Sequence, residues 1–171
     1  SPFDVLFIRF SILSLFIFLL LLVGCSLSNS PTSKVEDLLT KYQMLDKDIK
    51  SGIEEVVNEE TLTSNQKERY RKIIEKQYKN LTYQVKEEKI DGDTSTITTE
   101  REVIDYKKAI NEAISKYQGK TDYTIEEYNN TKLDALEKAK EKVKYTIEFE
   151  VKKDNNDNWK LSSLSNETIK K

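Results

Sequence analysis

Histidine is absent from all 171 residues, and cysteine, tryptophan and methionine occur once each. Histidine is the side chain that most often serves as a general base near neutral pH and most often ligates metals. Its absence excludes Ser-His-Asp and Cys-His nucleophiles, and with one cysteine no zinc site of the usual donors can form. A single cysteine, Cys25, cannot form a disulfide within the chain, so nothing in the fold depends on redox state. Charge of one sign is missing too. The 28 Lys/Arg and 30 Asp/Glu give a net charge of −2 and are interspersed rather than blocked, which argues against nucleic acid as a partner. Long apolar runs are lacking with one exception, near the start.

That exception, Phe10 to Val23, holds Phe, Ile, Leu and Val with only Ser11 and Ser14 between them. A spanning helix needs about 20 apolar residues, whereas the core of a signal peptide needs about 7 to 15. Arg9 precedes the run, and small and polar residues follow it abruptly. Residues 1–24 therefore read as a signal peptide. Its exit, Leu22-Val23-Gly24-Cys25, resembles the bacterial lipobox, which implies that Cys25 is lipidated and becomes the first mature residue. A diacylglyceryl thioether, with or without a further amide-linked chain, holds a protein stably at a bilayer. The expected location is the extracytoplasmic face of the cell membrane. An uncleaved N-terminal helix and a plain secretory signal are the weaker alternatives. A chain that opens Ser1-Pro2 is expected to continue upstream.

Residues 25–34 supply the lipidated cysteine and a serine-rich flexible tether. Residues 35–171 then read as one α+β domain. Val35, Leu38, Leu39, Tyr42, Leu45, Ile49, Ile53, Val56 and Val57 recur at helical spacing and predict one helix over 35–58, loosened at Ser51-Gly52. Thr63 or Ser64 caps a second helix over 65–79, with Tyr70, Ile73, Ile74, Gln77 and Tyr78 buried. At Asn80 the period changes from 3.6 to 2, predicting a hairpin of strands 81–90 and 94–104. A three-residue loop, Asp91 to Asp93, pairs Val85 with Thr99 and Leu81 with Val103. A two-residue loop would set Glu100 and Glu102 on the buried face, so the longer loop is preferred.

Helical spacing returns over 105–118, stopped by Gly119, and again over 125–142, where Thr124 and Glu127 stand as a capping box. Strand 143–152 follows, with Val143, Tyr145, Ile147, Phe149 and Val151 on one face and charged residues on the other. Strand 158–164 comes next, and Ser165 caps the start of a last helix. The sum is an antiparallel sheet of about four strands, two hairpins, packed on helices.

"YKNLTYQVKEEKIDGDTSTITTEREVIDY" and "YTIEFEVKKDNNDNWKLSSLSNE" resemble nuclear-transport-factor-2-like, or cystatin-like, domains of small lipoproteins from low-GC Gram-positive bacteria. The resemblance covers roughly 65–171. It implies a cone in which a curved sheet and its helices enclose an aromatic-lined pocket, with Tyr83, Tyr145, Phe149 and Trp159 as candidates. The helical insertion at 105–142 departs from the compact members of that group. Core packing is the preferred role for these aromatics. Arg101 falls on the inward face between Thr99 and Val103; it snorkels outward, forms a buried ion pair or recognises an anionic ligand, and snorkelling ranks first.

No catalytic constellation stands out. Glu54-Glu55, Glu87-Glu88 and Glu126-Glu127 sit in lysine-rich surroundings and read as solvated surface. Asp154, Asn156 and Asn158 open with calcium-loop spacing, but Trp159 occupies the position that needs glycine and Ser165 the position that needs glutamate, so a turn is preferred. No cofactor and no metal are expected. A non-catalytic binding module, anchored in the cell envelope and engaging an envelope protein or peptide, ranks first. A small-ligand carrier ranks second and a histidine-free isomerase or dehydratase third. Homodimerisation through an exposed sheet face stays open.

Overall fold

Serine, proline and a second serine begin the first element. Ser30 Oγ accepts from the Ser33 backbone N–H, the Ser33 hydroxyl accepts from the Ser30 N–H, and Pro31 occupies the first helical position, where no donor is needed. The computed structural model, which describes residues 29–162 and the backbone of 169–170, thus starts helix α1 at Pro31–Gln43. The expected tether gives way to helix four residues early. The signal peptide, Leu22, Val23, Gly24, Cys25 and the Ser165 cap lie outside the described residues.

The expected single helix 35–58 is two. α1 ends at Gln43, and α2 spans Lys47–Glu59. Between them Leu45 adopts φ 48° with its side chain buried, and Asp46 caps α2 by accepting from Ile49 N–H at 3.0 Å. The break thus sits at a leucine forced into the left-handed region, while Gly52 lies inside α2. Helical periodicity survives the break because Tyr42, Leu45 and Ile49 all remain core residues. Helix α3, Ser64–Lys79, opens on a Thr63/Gln66 capping box.

Strands β1 (Thr82–Asp91) and β2 (Thr94–Ile104) form the hairpin, and its register combines the two alternatives weighed from sequence. Asp91 pairs with Thr94, leaving a two-residue turn with Gly92 at φ 60°, the conformation a type II′ turn requires of its first central residue. A bulge at Lys86 then shifts the register, so that Val85 pairs with Thr99 as the preferred loop predicts, and Glu100 and Glu102 stay off the buried face. The bulge also turns Glu88 toward α1. Its carboxylate accepts from Thr32 N–H at 3.1 Å and Thr32 Oγ at 2.9 Å, a negative group at a helix N-terminus.

Helices α4 (Tyr106–Ser115) and α5 (Ile125–Lys138) follow, each a few residues shorter than expected. They fill the connection between β2 and β3 (Lys142–Lys153), which pair antiparallel along their whole length. β4 is short, Trp159–Leu161, and pairs with the end of β3. The expected terminal helix is corrected: Ile169–Lys170 form strand β5, which pairs with Thr146 and Ile147 of β3. Strand order is β1-β2-β3-β4, with β5 beside β4 along the same edge of β3.

The architecture is α+β, an antiparallel sheet packed on helices. α1 lies against β1 through β4, and α3 packs on α1, α2 and α5. Ile97, Ile147, Phe149 and Val151 from the sheet meet Val35, Leu39 and Tyr42 of α1 in one core with Ile49, Ile53 and Ile74. Ion pairs join the helices at the rim: Arg71 of α3 to Glu54 of α2, and Arg69 of α3 to Asp134 and Glu137 of α5. No helix among the described residues is long and apolar enough to cross a membrane.

Candidate functional site

Cross-strand pairing sets Tyr83, Arg101 and Tyr145 side by side on β1, β2 and β3, facing α1. Phe149 and Trp159, the other sequence candidates, are buried elsewhere on that face: Phe149 against Ile97, Trp159 at the β3–β4 end. Both aromatics fill the core. Tyr83 and Tyr145 are half-buried at its margin. The row therefore gathers three of the five candidates and leaves two as core residues.

Arg101 does not snorkel. It is 9% exposed, its guanidinium carbon lies 5.5 Å from the Tyr145 ring centroid, and no described carboxylate pairs with it. Its Nε has no hydrogen-bond partner among the described residues. Burial pushes its pKa down, against the favourable fields of the Tyr78, Tyr145 and Tyr42 oxygens. Below it, Tyr42 and Tyr78 meet edge-to-face at 5.0 Å. A residue at the rim of a sheet can snorkel, but here Tyr42 of α1 and Tyr78 of α3 lie against the guanidinium and cover it.

Along β2 the same inward face carries Ser95 and Thr99, both buried, whose hydroxyls have no hydrogen-bond partner among the described residues. A strand that alternates correctly in sequence thus conceals a polar strip within its buried side.

A second locus escaped the sequence reading. Tyr117, Tyr123 and Tyr128 converge where α4 turns into α5, with ring centroids 4.6, 5.0 and 5.7 Å apart. The Tyr117 hydroxyl lies 2.6 Å from Thr131 Oγ, and Lys120 Nζ sits 5.7 Å from the Tyr117 ring centroid. Beside them a solvent-open hollow of about 520 Å³ is lined by Tyr117, Tyr123, Lys116, Lys120, Asp122 and Glu127, among others. Tyr123 presents exposed surface there, and Ile125 at the start of α5 is exposed too. The signal in the sequence was three tyrosines within "YQGKTDYTIEEY", whose convergence depends on Gly119 at φ 76° reversing the chain. On the neighbouring face of α5, Lys132 is fully buried with its Nζ 4.2 Å from the Tyr128 ring centroid.

The loop 154–158 is a turn. Asp154 Oδ1 accepts from the backbone N–H groups of Asn156 and Asn158, at 2.8 and 3.0 Å, which lowers the carboxyl pKa, and Asp157 takes φ 60°. Among the described residues no group of three or more metal-ligating side chains comes together.

Fold and loci define the class: an α+β domain with a buried arginine–tyrosine row and an aromatic hairpin tip. No family model matches the chain. No curated protein matches it either. Among solved structures, the chain is similar to YcdA, a candidate lipoprotein from Bacillus subtilis, at 17% identity and a TM-score of 0.36. The match covers 88% of this chain and 50% of that one, so the chain spans half the length of that protein.

Proposed function

We propose that this chain is a lipid-anchored, extracytoplasmic, non-catalytic module of the cell envelope that engages another envelope protein or peptide. Cys25, behind the lipobox residues Leu22, Val23 and Gly24, is the anchor in this reading. One observation carries the engagement: Tyr117 and Tyr123 stand beside an open hollow with Lys120 and Glu127, and Ile125, two residues after Tyr123, is 52% exposed. Tyrosines held rigid by one another offer large contact area at little entropy cost, which is why they are enriched in interfaces. The test is a photo-crosslinking residue at Tyr123 in intact cells, with one at Lys86 on the sheet edge as control. A discrete adduct from position 123 supports the reading. Adducts from Lys86 alone, or the same pattern from both, would place the contact elsewhere.

A second reading is favoured by Arg101, whose buried Nε finds no hydrogen-bond partner among the described residues. In a nuclear-transport-factor-2-like cone, Arg101 with Tyr83 and Tyr145 would hold an anionic small molecule. Native mass spectrometry compared with the denatured mass separates the readings, because a carrier retains extra mass only in the native spectrum. The same spectrum reports whether the chain is a homodimer.

A further inference from the structure

The side chain of Asn29 bonds twice to the β3–β4 end of the sheet. Its Oδ1 accepts from Trp159 N–H at 2.9 Å, and its Nδ2 donates to the Asp157 carbonyl at 3.2 Å. Immediately afterwards Pro31 is buried in the first turn of α1, and Thr32 is held by Glu88 of β1. From Asn29 onward the chain is therefore fixed to one end of the sheet. The β1–β2 turn lies at that same end, since Lys153 N–H donates to the Asp93 carbonyl at 2.9 Å.

Only Ser26, Leu27 and Ser28 separate Asn29 from Cys25. Four residue steps, however they run, reach at most about 14 Å. We infer that the bilayer surface is the partner of this turn end, with residues 91–93 and 154–158 facing the lipid and the opposite end of the sheet facing away. The inference rests on lipidation of Cys25. At the opposite end β2 leaves for α4 and β3 returns from α5, joined by a bond from Asp105 N–H to the Glu141 carbonyl at 2.7 Å. From Lys153 back to Lys142 the strand rises about 36 Å at roughly 3.3 Å per residue, well beyond the reach of the tether. A long tether would let the domain tumble; this one is shorter than the sheet is long. Orientation follows from the Asn29 clamp and needs no charge or apolar attraction.

The test uses the full chain, purified from membranes and reconstituted in phosphatidylcholine–phosphatidylglycerol vesicles that contain a headgroup-nitroxide lipid. A thiol-reactive fluorophore is placed at Asn155→Cys, in the turn end, or at Lys107→Cys, at the far end; both positions are exposed. The expected result is quenching several-fold stronger at position 155. Equal quenching, or stronger quenching at 107, in protein that floats with the vesicles would overturn the orientation while leaving the anchor intact. Two fluorophores per chain and no flotation would show a free Cys25 thiol, and both the anchor and the orientation would fall. In a further variant, twelve Gly/Ser residues between Leu27 and Ser28 lengthen the tether by about 20 Å root-mean-square. The difference between the two positions should then collapse; if it persisted, the short tether would not be its cause.

Discussion

Arg101 rests 5.5 Å from the Tyr145 ring centroid, its strand neighbour across the β2–β3 pair, and this ring is the one described cation–π partner of a guanidinium buried under Tyr42 and Tyr78. A buried charge without a carboxylate carries a desolvation penalty that one aromatic face offsets only in part. Arg101→Met keeps the volume and removes the charge. We expect it to raise stability by about 1 kcal/mol in urea unfolding, as replacement of buried charges by apolar residues often does. A loss of similar size would mean that the guanidinium has a stabilising partner.

Tyrosine burial predicts an alkaline limit. Burial pushes the Tyr106 phenol up to about 12 and those of Tyr42, Tyr70 and Tyr78 well above the ordinary phenol range. A phenol whose pKa is raised on folding contributes stability that is complete below about pH 10, where phenols of the unfolded chain ionise, and that is lost as pH rises through its folded value. Stability measured by denaturant titration should be flat in this respect up to about pH 10 and fall steeply between about 10 and 12. Phenolate absorbance should rise with unfolding rather than ahead of it for these residues. Full ionisation of every tyrosine in the native state would contradict their burial.

Arg69 ties α3 to α5 through Asp134 at 2.5 Å, Glu137 at 2.7 and 3.0 Å and Asn130 at 3.3 Å. The carboxylates are about half exposed, so solvent screens the pair and the contribution is modest. Arg69→Ala should cost about 1 kcal/mol at low salt, and Arg69→Lys should recover little of it because the forked geometry is lost. High salt should shrink the difference from wild type. An effect independent of salt would indicate lost packing of the arginine stem instead.

Asp46 makes the break between α1 and α2 a cap rather than a kink. Asp46→Ala should destabilise by about 1 kcal/mol with an unchanged denaturant slope. An unchanged midpoint would mean that Leu45 alone holds the turn.

Alternation made β3 legible in sequence, because its inward residues Val143, Tyr145, Ile147, Phe149 and Val151 are all apolar or aromatic, whereas β2 is marked by its β-branched residues. Two features broke the local rules. Leucine at position 45 takes a backbone conformation that sequence assigns to glycine, so the sequence predicts one helix loosened at Ser51-Gly52 where the chain instead breaks at Leu45. The Lys86 bulge changes register within β1, and no residue there marks it; its effect is visible only when Glu88 meets Thr32 across 56 residues. Periodicity alone places Arg101 on the inward face, where the structure has it. Whether it reaches water depended on Tyr42 and Tyr78, contributed by two separate helices, and no local pattern encodes that cover. The tyrosine group at the α4–α5 tip was equally hidden, since its three members approach only after the chain reverses at Gly119.

The most direct test of an anchored module is the intact mass of the protein extracted from membranes of a bacterial host that carries the lipoprotein-processing enzymes. The expected mass is that of a chain that begins at Cys25 and carries a diacylglyceryl group, with or without an amide-linked acyl chain. An unmodified Cys25, or a chain that still retains Leu22 and Val23, would contradict it.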